Sequence, residues 1–197
     1  AMWEAAGPWF EKAFNDDNMT LLLGGPFTPQ GIWAKIKIRT PEDLKGLKIR
    51  TYDVTGLKVL KVAGAAPIQM SWADVVPALS TNVIEGVLTS DESGCNAKFW
   101  EYGVKYFNSL GYTMGISAGF MNLDVFKKLS PADQEIFRQA GKDATEWGFQ
   151  QTYGRIEFNK GRMHGGGERI DDVPQVVIDH LMKAGAPLLG EWKKKMG

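Results

Sequence analysis

The spacing of apolar and polar positions changes period several times along the chain, and each change predicts an element. Trp3, Ala6, Phe10 and Phe14 recur at helical spacing, so a helix is expected from about Trp3 to Asn15, with Pro8 as a kink or second start. Met19 to Leu23 reads as a buried strand, and the glycines and prolines of "GGPFTPQG" read as a turn or hinge after it. Thr40 is placed to cap a short helix with Pro41 at its first position, acidic Glu42 and Asp43 in its first turn and Gly46 at its end. In "EDLKGLKIRTYD", Leu47, Ile49 and Thr51 alternate with Lys48, Arg50 and Tyr52, the period of a strand with one apolar face.

A helix from Thr55 follows, closed by Gly64, then the short extended piece "APIQM", a helix opened by Ser71 with Asp74 three places on, and a strand in "NVIEGVLT". Strand and helix alternating in this way argue for an α/β sheet. Tyr112 to Met121 is the next extended candidate. Ser130 then caps a helix starting at Pro131, whose apolar stripe through Ile136, Phe137, Ala140, Ala144, Trp147 and Phe158 implies a length of about 45 Å. "HGGGERI" breaks it, and two shorter helical stretches, Pro174 to Ala184 and Pro187 to Met196, are expected after it.

Composition narrows the function classes more than the fold. The 197 residues carry no formal net charge, and 44% of them are hydrophobic, which suits a globular protein and gives no electrostatic footprint for nucleic acid or an anionic membrane. Lys193, Lys194 and Lys195 read as a solvated helix end. Apolar runs such as "TLLLGG" are far shorter than the roughly 20 residues of a membrane span, so no direct membrane insertion is expected, and "AMWEAAGPWFEKAF" is unlike a secretory leader. The single cysteine, Cys95, excludes an internal disulfide.

Enzyme signatures are scarce. His164 and His180 have no metal-ligand spacing, no phosphate loop is present, and the glycines of "HGGGERI" follow a helix where a dinucleotide site needs a strand, so neither metal nor cofactor is expected. Asp91, Glu92 and Cys95 fall in what reads as a polar, exposed loop. The carboxylates would raise the thiol pKa, the wrong direction for a nucleophile. An enzyme on an α/β scaffold using these three residues is the alternative from another class. Arg50 stands near a strand end, where α/β sheets present ligand crevices and a guanidinium can grip a carboxylate with two parallel hydrogen bonds. A surface ion pair is the competing account. Trp72 opens the element after the next strand, where it could line the crevice or join the core, and Thr89 and Ser90 end another strand with two hydroxyls.

The ordered series "EDLKGLKIR", "GAAPIQMSWADVVPALSTNVIEGV", "KYF" and "MNLDVFKKLSPADQEIFRQAGKDATEW" resembles the solute-binding proteins of tripartite ATP-independent periplasmic (TRAP) transporters, of the DctP type, from about Pro41 to Trp147. The resemblance implies a non-enzymatic periplasmic receptor that closes on a small organic acid and delivers it to membrane permease subunits. It implies an α/β, two-lobed periplasmic-binding-protein type II-like fold with a long lobe-spanning helix. Residues 1–30 would be a remnant of the first lobe, 31–112 the second lobe core, 113–153 a return to the first lobe with the long helix, and 154–197 the C-terminal helices closing the second lobe. The first lobe would be incomplete and the chain N-terminally truncated, the full-length precursor carrying a signal peptide.

In the family, the arginine of the "GLKIR" strand is the usual partner of the ligand carboxylate, which is Arg50 here, and the aromatic position after "PIQM" is Trp72. The nearest matches to the family's hydrogen-bonding segment are Thr89 and Ser90, with Tyr112 and Trp33 as further walls. Many relatives have "DGQENP" where this chain reads "EGVLTS". That departure favours a monocarboxylate with a 2-oxo or 2-hydroxy group, or an aromatic one, over a particular known substrate. A receptor for an ATP-driven importer is the remaining alternative.

Overall fold

The computed structural model describes residues 2–113 and 115–196. In chain order the elements are α1 (Met2–Asp16), β1 (Met19–Pro26), β2 (Gln30–Ala34), β3 (Lys48–Thr51), α2 (Val54–Val62), β4 (Ala66–Gln69), α3 (Val75–Ser80), β5 (Gly86–Ser90), α4 (Asp91–Asn96), β6 (Tyr106–Ser109), β7 (Ile116–Asn122), α5 (Leu123–Lys127), α6 (Pro131–Gly165), β8 (Arg169–Asp172) and α7 (Gln175–Met196). Single 3-10 turns lie at Pro41–Leu44, Trp72–Asp74 and Phe99–Tyr102. The chain divides into two units, Ala1–Phe27 with Gly115–Gly154 and Thr28–Met114 with Arg155–Gly197. The long helix α6 therefore contributes residues to both.

In the first unit, β1 and β7 form a two-stranded antiparallel sheet, with Met19 opposite Asn122 and Pro26 opposite Ile116. The front of α6 lies close enough on β1 that a Cβ at Gly141 would fall 2.1 Å from the Leu22 carbonyl oxygen, which makes glycine obligatory there. Thr145 Oγ1 accepts from the Gly24 amide and donates to the Gly141 carbonyl, satisfying a buried strand amide through a helix side chain.

The second unit holds a six-stranded mixed sheet in the order β4-β3-β5-β2-β6-β8. β3 runs parallel to β4 and β5, β2 is antiparallel to β5 and β6, and β8 is parallel to β6. Alternating side chains feed two cores. Ile32, Ile49 and Leu88 meet Val59 and Leu60 of α2 and Val177 and Ala184 of α7. Trp33, Val87 and Phe107 instead meet Val75 and Leu79 of α3, Cys95 of α4 and Met163 of α6. A Cβ at Gly94 would fall 2.1 Å from the Trp33 ring, so the approach of α4 to the sheet depends on that missing side chain.

The strand of the "KIRT" alternation, the helix expected from Thr55, which starts at Val54 behind an Asp53 cap that the sequence reading did not name, and the Ser130-to-Asp133 start of α6 are observed. Other expectations are corrected. "GGPFTPQG" is largely strand, because β1 runs to Pro26 and β2 starts at Gln30. Strands β6 and β8 are additional, and their residues do not alternate apolar with polar. The two C-terminal stretches are one helix that contains Pro187. The segment of Asp91 and Cys95 is a helix, with both residues buried.

Candidate ligand-binding site

β3 has four residues, and its alternation sends Ile49 to the α2–α7 core and Arg50 to the other face, opposite Val87 of β5. Arg50 is only 4% exposed. Its Nε and Nη2 both donate to the Met70 carbonyl, at 3.2 and 3.1 Å, which fixes one edge of the guanidinium. The ring of Trp72 lies 5.6 Å from its central carbon and that of Tyr52 lies 5.9 Å away, both within cation–π range. Among the described residues no carboxylate oxygen comes within the 4.0 Å of an ion pair. Burial draws the Arg50 pKa down, against the pull of Tyr52 and Asp53, yet a guanidinium keeps its proton throughout the physiological range.

Tyr52 and Gln30 are residues of this corner that the sequence reading missed. The Tyr52 hydroxyl donates to Gln30 Oε1 at 3.0 Å, and burial followed by the Asp53 charge raises its pKa. The signal was available for Tyr52, two residues after Arg50 in the same alternation, although β3 itself ends at Thr51. Gln30 gave none, since only the pairing of β2 with β5 brings it near.

The other expected site residues separate. Trp72 is 44% exposed in its 3-10 turn and touches Phe99 at one end, so its ring is available. Thr89 shares the face of Val87 and Arg50. The Ser90 hydroxyl accepts from the Ser93 amide and bonds the Ser93 hydroxyl, capping α4, and the residue is 1% exposed. Trp33 is corrected: it is fully buried, wedged between Phe99 and Phe107, with Nε1 donating to the Ser90 carbonyl, so it presents no surface to a ligand. Tyr112 lines a separate cavity of about 660 Å³, which Tyr52 also lines and Arg50 does not. Burial, with Asp53 and Tyr52 nearby, pushes its pKa up to about 12, so it stays a neutral phenol.

The residues of the enzymatic alternative are engaged in structure. Asp91 is 4% exposed and accepts from Thr28, from Asn159 Nδ2 at 3.2 Å and from the Glu92 amide. Glu92 pairs with Arg155. Cys95 is fully buried and its pKa rises to about 12, chiefly from burial, with the carboxylates as a lesser cause. Among the described residues no group of three or more His, Cys, Asp or Glu is arranged to hold a metal, and no helix is long and apolar enough to cross a membrane.

The family model of the bacterial extracellular solute-binding proteins, family 7 (DctP), matches residues 13–195. The chain belongs to that family. Family 7 proteins are extracellular solute-binding proteins, and membership assigns this protein to the periplasm. A C4-dicarboxylate-binding protein, DctB of Bacillus subtilis, is 27% identical over 167 residues, 81% of this chain and 43% of the relative. Two Bordetella pertussis extracytoplasmic solute receptors that bind pyroglutamic acid, DctP7 and DctP6, superpose with TM-scores of 0.93 and 0.92 at 27% and 30% identity. Each superposition covers 99% of this chain and 64% of the receptor. The α/β, periplasmic-binding-protein type II-like fold expected from the sequence is thus the fold observed. The chain spans less than half the length of the curated relative it matches.

Proposed function

We propose that the protein is the ligand-gripping part of a TRAP-type solute receptor, and that Arg50 holds the carboxylate of a small organic acid. The observation that carries this reading is a permanently charged, nearly buried guanidinium that two aromatic rings and a carbonyl hold in place, with no counter-ion among the described residues. A buried charge is costly until an anion joins it, so the free site is primed for one. Trp72 and Tyr52 would flank a compact or flat ligand, and Thr89 would reach a 2-oxo or 2-hydroxy group. The binding of pyroglutamic acid by the two Bordetella receptors makes that cyclic monocarboxylate the first ligand to try. Release to membrane permease subunits completes the proposed role.

Isothermal titration of the full-length receptor with pyroglutamate and a panel of 2-oxo, 2-hydroxy and aromatic monocarboxylates tests the reading. One or more acids should bind and Arg50→Ala should weaken that binding at least tenfold. Binding by none of them, or binding that survives Arg50→Ala unchanged, would refute it.

A further inference from the structure

We propose that Gln30 and Tyr52 together determine the specificity of the Arg50 site, so that the acid held by Arg50 carries a second polar group that is a neutral carbonyl acceptor, as in a lactam or a ketone. This inference rests on the Arg50 reading and extends it to the far end of the ligand. Gln30 is the first residue of β2 and is only 7% exposed. It pairs with Ser90 of β5, its amide donates to the Thr113 carbonyl and its carbonyl accepts from the Tyr112 amide, both at 3.1 Å, so its backbone is held from two sides.

The side chain is oriented as well. A phenol has one proton to donate, and the Tyr52 hydroxyl gives it to Gln30 Oε1 at 3.0 Å, which turns Nε2 away from the ring. Among the described residues Nε2 has no hydrogen-bond partner, yet it is not enclosed, unlike the unpartnered oxygens of Glu168 and Asp171. It is thus an accessible pair of N–H donors on a nearly buried side chain. The tyrosine that orients it has its ring 5.9 Å from the Arg50 guanidinium carbon, so one hydrogen bond and one ring link the donor to the anion clamp.

Two features set the character of the group that meets Nε2. A donor held in one orientation discriminates through what it loses, because an acid with no acceptor there leaves it desolvated and unpaired. The field at that end is also negative. Beyond burial, the leading influence that raises both Tyr52 and Tyr112 is the Asp53 charge, and on Tyr52 it exceeds the opposing pull of Arg50. A second carboxylate would enter this field with Arg50 already matched by the first, whereas a neutral carbonyl accepts from Nε2 without that repulsion.

Isothermal titration of the full-length receptor with pyroglutamate, cyclopentanecarboxylate and glutarate is the test. Cyclopentanecarboxylate keeps the five-membered ring and the carboxylate but lacks the carbonyl, and glutarate puts a second carboxylate in the carbonyl's place. Pyroglutamate should bind about tenfold more tightly than either. Gln30→Met, which keeps the side-chain length, should weaken pyroglutamate about tenfold and leave cyclopentanecarboxylate unchanged, bringing their ratio toward one. Tyr52→Phe releases Oε1 at a ring that is 40% exposed, and it should cut that ratio about threefold, an outcome readable even where Gln30→Met fails to fold. Arg50→Ala should weaken pyroglutamate and cyclopentanecarboxylate alike. The inference is overturned, with the Arg50 reading intact, if the three acids bind equally well. The same holds if Gln30→Met and Tyr52→Phe weaken pyroglutamate and cyclopentanecarboxylate by one factor, as a merely structural latch would. If none of the three acids binds, this inference fails and the wider panel of acids decides the Arg50 reading separately.

Discussion

Arg50 and Glu168 are two buried ionisable residues of the same unit, 4% and 3% exposed, and neither has a counter-ion among the described residues. Their surroundings differ in what each group can do about it. Both Glu168 carboxyl oxygens are buried without a hydrogen-bond partner, and burial pushes its pKa up to about 8. The acid escapes by keeping its proton. Arg50 has no such exit, because no attainable environment deprotonates a guanidinium near neutral pH. It keeps its charge, fixed by Met70 and two rings, and the remaining way to neutralise it is a bound anion. A third buried charge, Asp91, shows the closed solution, with three donors converging on one carboxyl oxygen. Burial alone therefore does not mark a ligand site, but burial of a charge that can neither titrate nor pair does.

The largest expected effect tests the escape by protonation. Between the ordinary carboxylate value of 4.5 and about 8, folded Glu168 holds a proton that the unfolded chain has lost. Stability should fall as pH rises through that window and level off above it, by on the order of 4 kcal/mol. Glu168→Gln should flatten that part of the profile in urea unfolding. An unchanged slope would mean that Glu168 is charged in the fold.

Asp91→Ala should come next, costing about 3 kcal/mol of folding stability because Thr28 and Asn159 lose their acceptor. Pyroglutamate affinity, where the protein still folds, should not change. Arg50→Ala should show the reverse. Ligand affinity should drop by about 2 kcal/mol, roughly thirtyfold, while urea stability of the free protein stays level or rises as an unmatched charge is removed. A loss of stability equal to that of Asp91→Ala would erase the distinction between the two sites. The smallest effect belongs to Trp72→Ala, about 1 kcal/mol in ligand affinity from the lost ring over the guanidinium. If Trp72→Ala costs more than Arg50→Ala, stacking and not charge leads recognition.

What was legible in the sequence follows from the range of the forces involved. The β3 alternation, the helix closed by Gly64, the Ser130 cap, the helix start at Pro131 and the break at "HGGGERI" are set within a few residues, by side-chain period and local hydrogen bonds. Family membership was legible for a related reason, since it is carried by short motifs in a fixed order. β6 and β8 were not, because Tyr106–Ser109 and Arg169–Asp172 do not alternate apolar with polar residues and are held by their neighbours in the sheet. The loop expected around Asp91 and Cys95 failed in the same way. Its polar residues are inward-facing ones whose partners, Thr28, Asn159 and Arg155, lie more than sixty residues away in the chain.

The sequence by itself determined that an arginine would stand near the end of an α/β strand, two residues before a tyrosine and ahead of a tryptophan that opens the element after the next strand. Only the tertiary structure decided which candidates join it. It drew Trp33 into the core and engaged Ser90 in a helix cap, and it turned Tyr112 toward a separate cavity while bringing Tyr52 and Gln30 to Arg50. The reason is that a residue's type fixes what chemistry it can perform, while sheet order and helix packing fix which groups are close enough to satisfy it first.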